Sequence, residues 1–481
     1  MKNSQLKRKK SDKQKVFFNT LFNAGGTIID KLLFFLVNIM MTRYLTVQDF
    51  GEYTTSLGYA TFFSTFCDIG INATLIRSLR LNKAKKDENV TNNLLIKSCL
   101  SIITYCIMAV SLYFTNYNET VINLTLLYGV VRVGNEFMNA FYAVQYAEEK
   151  FLRQSIINSS FSLIYAISTG LIIILNGNNF HFAISRMMIV IIYVTFLLIA
   201  LLSRFKIKFD FLSFKDFSVQ AFYFGLSKIF NNALNRINIV ILSLITGSMY
   251  TGIFNNGYLF FHSIFFIPSN FSTVLLAYLY KISFKENPKK FQFAFDIYTK
   301  MLSIISFYIM IIFILYAEPI IKILYGTRYL PSVPIVQIVA LAIPALFNVS
   351  GTIITALDKQ KFSAYIQGMA CLINIVANII FIKYFKAEGA AIATVLTYYV
   401  LNLMYNIFLV RYKYISMKST TFVILKQCFI FLVVYELYFT FLIRYHIIYN
   451  IILITVIYVV LVFIFQIKKN DIRIMREIVG I

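Results

Sequence analysis

The stretch "KIFNNALNRINIVILSLI", Lys228–Ile245, sets a lysine, an arginine and four asparagines into a helix-length run of Ile, Leu and Val. At about 100° per residue, Lys228, Asn231, Asn232, Asn235, Arg236 and Asn238 share an arc of about 160°, and the opposite face is apolar. The chain around it has 481 residues, 59% hydrophobic and 14% charged, with a mean hydropathy of +0.72. Soluble chains are about a quarter charged, so this composition has no soluble core to hide in. The stretch is therefore one polar-faced span of an all-α polytopic membrane protein.

About fourteen segments of bilayer length can be read, for a hydrocarbon core of about 30 Å. With the N-terminus inside, Lys plus Arg in the connections number about 31 on the cytoplasmic side and about 6 on the outer side, with about 8 in spans. Both termini are expected in the cytoplasm, and the net charge of +24 is mostly topological rather than a nucleic-acid signal. The basic start "LKRKKSDKQK" has anionic lipid headgroups as its alternative reading.

The expected organisation is a basic cytoplasmic tail (1–15), an N-terminal six-helix bundle (16–203) and a cytoplasmic linker (204–220). A C-terminal six-helix bundle (221–410), two additional spans (411–467) and a cytoplasmic tail (468–481) complete it. A weak internal echo supports two parallel-related halves: "TVQDFGEYTTSLGYATFF" (46–63) and "TGSMYTGIFNNGYLFFHS" (246–263) both place Gly before an aromatic, at Gly51-Glu52-Tyr53 and Gly252-Ile253-Phe254. The outer connection "AEPIIKILYGTRYLPS" (317–332) reads as a short amphipathic surface helix. Pro268 and Pro344 lie inside spans, where they kink helices.

Several chemistries are disfavoured. The five cysteines lack CxxC or CxxH spacing, only three histidines occur, and no GxxxxGK[ST] loop is present. No metal, cofactor or catalytic residue is implied, and the chain is expected not to be an enzyme.

Two further helices repeat the polar face. On the first, Asn23, Asp30, Lys31 and Asn38 share about 140°; on the fourth, Arg132, Asn135, Glu136 and Asn139 lie within about 120°, among tyrosines. Gln367, Asn374 and Asn378 form a milder stripe on the eleventh, whereas the third, ninth and fourteenth read as nearly all apolar, lipid-facing or peripheral. An Arg, Lys or Asp at mid-span costs about 2.5–3.5 kcal/mol against lipid. Six such groups would cost about 15–20 kcal/mol, more than the roughly 5–15 kcal/mol of a folded protein. The faces must meet one another or water. One reading is internal pairs such as Arg132 with Glu136, one turn away. The other is a hydrated cavity for an anionic cargo, favoured because Lys31, Arg132, Lys228 and Arg236 face only Asp30 and Glu136. Substrate-binding candidates are Lys31, Arg132, Lys228, Arg236, Asn23, Asn135, Asn139, Asn231 and Asn235. Asp30, Asp68 and Glu136 are candidates for ion coupling or structural pairs, Asp68 with Arg77.

Four stretches resemble the polysaccharide biosynthesis/export family, in order: "TRYLTVQDFGEY" (42–53), "DIGINATLIRSLR" (68–80), "ILYGTRYLPSVPIVQIVALAIP" (323–344) and "FKAEGAAIATVLTYY" (385–399), the last being the most specific. That family lies in the multidrug/oligosaccharidyl-lipid/polysaccharide exporter superfamily, with the multidrug-and-toxin antiporters and lipid II flippases. The resemblance implies two six-helix bundles in a V, a central cationic cavity and alternating access. The implied cargo is an undecaprenyl-diphosphate-linked oligosaccharide repeat unit, flipped from the inner to the outer leaflet of the bacterial cytoplasmic membrane for O-antigen or capsule assembly. The polysaccharide polymerase and chain-length machinery are the implied partners, and a proton or sodium gradient the candidate drive. Members often carry an acid in the seventh helix where this chain has Asn235 and Asn238, so ion coupling through that helix is not implied. The rivals are a multidrug antiporter on the same fold, which suits a net acidic cavity, and an integral-membrane polymerase or ligase, which needs a long outer loop.

Overall fold

A computed structural model of the chain describes residues 25–81, 85–282, 284, 287–442 and 446–466, with backbone alone at Tyr223, Phe224, Leu226, Ser227, Lys228, Asn231, Asn235, Ala277 and Lys281. Every regular element among the described residues is helical. Both expected terminal tails, and Asn23, lie outside the described residues.

The chain divides into two compact units, Met1–Gly252 and Ile253–Ile481. In the first, α1 (Gly25–Tyr44), α2 (Val47–Ser64), α3 (Ile71–Leu81) and α4 (Lys86–Leu112) precede α5 (Glu119–Ala147), α6 (Phe151–Ile174), α7 (Asn179–Leu202) and α8 (Phe211–Thr246). The helix α9 (Ser248–Ile264) crosses the division. The division falls one helix beyond the linker 204–220 because α8 packs on α2, α3 and α4. The second unit continues with α10 (Phe266–Ile282), α11 (Pro288–Tyr325), the short α12 (Val333–Ala340), α13 (Ile343–Leu346) and α14 (Ser350–Ala356), then α15 (Gln360–Arg411), α16 (Lys418–Leu437) and α17 (Ile447–Phe465).

Among the described residues, nine helical stretches are long and apolar enough to cross a bilayer, and a pair bent by 49° (Thr327–Ala340 with Ile343–Ala356) makes ten. The polar-striped α5 and α8 and the interrupted α2–α3 fall outside that number. One of the nine, α15, is 52 residues long, about twice what a single crossing takes. It is broken at Lys386, at φ 48° and ψ −123°. Side-chain bonds join Asn374 to Thr397 and Gln367 to Tyr405, pairs spaced almost symmetrically about Lys386, so its two limbs run antiparallel. Gly389 makes this corner possible: a Cβ there would lie 2.2 Å from the carbonyl oxygen of Phe381.

Helix ends follow local chemistry. Thr46 caps α2 by accepting from the Asp49 N–H, Asn118 caps α5 through Val121, and Asp210 caps α8 through Ser213. Asn178 and His181 form a capping box on α7. The proline expectations hold as breaks: Pro268 stands in the first turn of α10 after the interruption at Phe265, and Pro344 in the first turn of α13 after that at Leu341–Ala342. A first-turn proline lacks only an N–H that has no intrahelical partner anyway. The surface helix expected over 317–332 is present as the last turns of α11, set off by non-helical Tyr316 and followed by a 3₁₀ turn, Thr327–Ser332.

The echoed glycines meet. A Cβ on Gly51 would fall 2.2 Å from the carbonyl oxygen of Ser248, and one on Gly252 would fall 2.9 Å from Gly51 Cα, so α2 and the start of α9 touch backbone to backbone.

Candidate functional site

Charged groups inside the helices concentrate in the first unit, and α5 is their axis. Arg132, Asn135 and Glu136 are half-buried on it and Asn139 is exposed, its amide donating to Glu136 Oε1 at 3.4 Å. Tyr128, one turn before Arg132, is wholly buried, so the striped face turns inward at that end. On α8, Arg236 is half-buried. Lys228, Asn231 and Asn235 occupy α8, but their side chains lie outside the described atoms.

The helix α4 requires a correction. The third span was expected to be nearly all apolar and peripheral, yet its buried stripe is Asn89, Asn92, Asn93, Lys97, Ser101 and Thr104, while Leu95, Ile102, Ile103 and Ile107 are exposed. The polar face turns inward because lipid takes the apolar one. Lys97 has no exposed surface; its Nζ donates to Asn72 Oδ1 at 3.0 Å and to the Glu136 carbonyl at 2.8 Å, and lies 3.6 Å from the Glu136 carboxylate. Glu136 is thus paired across to α4, not with Arg132 on its own helix. Asn72 passes the chain on, donating its amide to Asp68 at 2.9 Å, while Asp68 also accepts the Asn72 N–H at 3.1 Å.

Asp30 and Lys31 on α1 are half-buried. Asp30 accepts a hydrogen bond from Asn158 of α6, and α1 approaches that helix closely where Gly26 faces Ser155.

Sequence reasoning missed Arg186. It stands on α7, whose other core positions are mostly apolar, so no stripe announces it. Only 6% of it is exposed, and its guanidinium lies 4.7 Å from the ring centre of Tyr165. Tyr53 and Tyr128 stand edge-to-face with each other, 5.6 Å between centroids. Arg132 is acted on by Arg186 and Arg236 more strongly than by Glu136. Arg132 of α5 is thus within electrostatic reach of Arg186 on α7 and Arg236 on α8, and also of Glu136, whose carboxylate lies 3.6 Å from Lys97. A census of cations inside spans contains Arg186 and Lys97; helical periodicity alone does not flag them.

The second unit treats its polar stripe differently. Gln367 donates to Tyr405 Oη at 3.0 Å, Asn374 to Thr397 Oγ1 at 2.8 Å, and Asn378 to the Asn374 carbonyl at 2.8 Å. Asn374 and Asn378 are buried, so this stripe holds the two limbs of α15 together instead of facing water.

Chemically, the first-unit site presents hydrogen-bond donors and positive charge, with amides and tyrosines around them, and no nucleophile–base pair is assembled from the residues described. Among the described residues no group of His, Cys, Asp and Glu could hold a metal ion.

The family described as polysaccharide biosynthesis protein matches residues 40–334, which takes in the first two resembling stretches and part of the third. No curated protein matches the chain. Among solved structures, the chain is similar to lipid II flippase MurJ in an inward closed conformation, with TM-score 0.77 and 17% identity over 93% of this chain and 98% of that one. It is similar to an inward-facing multidrug resistance MATE family transporter of the MOP superfamily, with TM-score 0.61 and 12% identity over 80% and 94%. It also resembles a MOP superfamily transporter from Pyrococcus furiosus described by the reverse polarity of its binding pocket, with TM-score 0.61 and 11% identity over 84% and 96%. At these identities the likeness is one of fold.

Proposed function

The chain belongs to the polysaccharide biosynthesis protein family, and from that premise we propose that it is a flippase for an undecaprenyl-diphosphate-linked oligosaccharide repeat unit. The cargo would move from the inner to the outer leaflet of the bacterial cytoplasmic membrane, feeding cell-surface polysaccharide assembly. The observation that supports this reading is the set of cations on the helices of the first unit, half-buried Arg132 on α5, buried Arg186 on α7 and half-buried Arg236 on α8, where Glu136 faces Lys97 and Asp30 accepts from Asn158.

A diphosphate passing through low-dielectric surroundings needs positive charge along its way, and dispersed cations hold it without trapping it. Arg132, Arg236 and Lys31 supply attraction for the diphosphate; Asn135 and Asn139 supply amide groups for sugar hydroxyls. The membrane-spanning fold and the family both suit alternating access, in which the site opens to each leaflet in turn. No ion-coupling step is assigned: Asp30 and Glu136 are engaged by Asn158 and Lys97, and Asp68 by Asn72.

The test replaces Arg132 or Arg236 by Ala in the producing strain, with lipid-linked oligosaccharide and surface polymer both measured. Loss of surface polymer with build-up of the lipid-linked precursor, at unchanged protein level, is expected for each. Normal polymer in both variants sinks the proposal. A multidrug antiporter on this fold would call for excess acid to hold cations, and the first unit carries excess base; unchanged drug tolerance on deletion is the corresponding expectation.

A further inference from the structure

Where α3 ends and where α4 and α8 begin, the first unit holds a cavity of about 350 Å³, lined by Arg77, Leu81, Lys85, Asn89, Ser213 and Asp216 among others. That volume lies in the usual range for a small-molecule site, about 300–1,000 Å³. Each helix contributes residues one turn apart: Arg77 and Leu81 on α3, Lys85 and Asn89 at the start of α4, Ser213 and Asp216 on α8.

Printed bonds fix this wall. Asn92 of α4 donates to Ser213 Oγ at 3.2 Å, and the Lys208 N–H donates to Thr91 Oγ1 at 3.0 Å, so α8 is tied to α4 beside the cavity. Ser213 accepts in that bond, which leaves its own O–H to donate. Asn89 is only 7% exposed, lines the cavity and makes no side-chain hydrogen bond among the described residues. A buried amide in that condition calls for a partner. Asp216 is exposed and forms no ion pair among the described residues, and Lys85 reaches Glu88 at 3.9 Å, too far for a hydrogen bond.

Position sets the kind of ligand. The 27 residues of α4 span about 40 Å, so its first turn stands outside the roughly 30 Å hydrocarbon layer, among the headgroups. Leu81, 74% exposed on the cavity wall, offers apolar contact there. Two cations, a carboxylate and an apolar edge complement a phosphate, an ammonium and acyl chains. A purely anionic ligand would leave Asp216 facing like charge.

We infer that this cavity binds the headgroup of a lipid carrying a phosphate and a primary ammonium, as in phosphatidylethanolamine. Arg77, Lys85, the Ser213 hydroxyl and the Asn89 amide donate to the phosphate, and the ammonium donates to Asp216. A choline headgroup has no N–H for Asp216, and a glycerol headgroup has no positive charge for it. The site does not depend on the identity of the transported cargo.

The experiment equilibrates the full-length protein with vesicles of phosphatidylethanolamine, phosphatidylglycerol and phosphatidylcholine in equal amounts, then counts retained lipids by native mass spectrometry. The wild type should retain phosphatidylethanolamine above both others. Asp216→Asn should lower the ratio of phosphatidylethanolamine to phosphatidylglycerol by about three- to fivefold, as for a lost exposed ion pair. Arg77→Gln should reduce retention of both lipids and leave that ratio nearly unchanged. Both positions are exposed, so neither substitution threatens folding. No preference in the wild type, a ratio unmoved by Asp216→Asn, or retention unmoved by Arg77→Gln overturns the inference. So does equal thermal stabilisation by lipid-free glycerophosphoethanolamine, which would make the occupant a soluble phosphoester instead of a lipid.

Discussion

Replacing Lys97 by methionine isolates the most deeply buried charge in the first unit. The side chain has no exposed surface, makes hydrogen bonds of 3.0 Å to Asn72 and 2.8 Å to the Glu136 carbonyl, and faces the Glu136 carboxylate at 3.6 Å. Methionine preserves length and apolar stem but strands that carboxylate without its cation. Breaking one side of a buried ion pair costs about 3–5 kcal/mol, a large part of the roughly 5–15 kcal/mol available. The carboxylate, though, retains the amide of Asn139 at 3.4 Å, which places the expected cost near the lower bound, about 3 kcal/mol. Glu136→Gln removes the opposite charge, and in the double variant Lys97→Met/Glu136→Gln no isolated charge remains. Its loss should therefore be smaller than the sum of the singles by about 1–3 kcal/mol. Reversible denaturant unfolding in detergent, followed through a double-mutant cycle, gives the coupling. A Lys97→Met cost below about 1 kcal/mol, or an additive cycle, would refute the claim that this pair ties α4 to α5.

Other expectations concern the loops and the helix contacts. Burial pushes the Glu148 carboxyl up, but Lys150 at 2.8 Å and Arg204 at 2.8 Å outweigh it and hold the carboxyl below its usual value. A depressed folded pKa adds stability above the unfolded pKa of about 4.3, and that contribution is lost as pH falls through the folded value. Glu148→Gln should therefore be less stable by about 0.5–1 kcal/mol at neutral pH and match the wild type in strong acid, as read by melting temperature against pH. Gly51→Ala should cost about 1–3 kcal/mol, because its Cβ would overlap the Ser248 carbonyl at 2.2 Å; an unchanged melting temperature would show that the helices can slide apart freely.

What the sequence made legible is whatever is written within one helix. The α5 stripe follows from spacing, and Pro268 and Pro344, read as kinks inside spans, stand where the helices break. Partners across helices were not legible. Glu136 has an attractive cation one turn away on its own helix, but the fold offers it Lys97 from α4, and the inward turn of that helix is set by lipid taking Leu95, Ile102 and Ile103. Arg186 belongs to no stripe, so only tertiary packing places it against Tyr165 and near Arg132. The amides of α15 read only as a milder polar stripe, because a stripe facing water and a stripe facing another stripe have the same period.

That last ambiguity separates the two units physically. Amides carry both donors and acceptors, so Asn374, Asn378 and Gln367 can close their hydrogen bonds with one another, with Thr397 and with Tyr405. Guanidinium groups carry donors only and repel one another, so Arg132, Arg186 and Arg236 cannot close among themselves whatever the packing. A helix face of amides can therefore be purely structural, whereas arginines in excess over acids suit an anion that is not part of the chain. On the proposed function, that anion is the phosphate-bearing cargo, attracted by Arg132 and Arg236. Exchanging the roles tests the reasoning directly. Arg236→Gln should spare folding and lose transport, whereas Asn374→Leu, which leaves Thr397 without its 2.8 Å partner, should cost about 1–3 kcal/mol of stability and alter transport only through protein level.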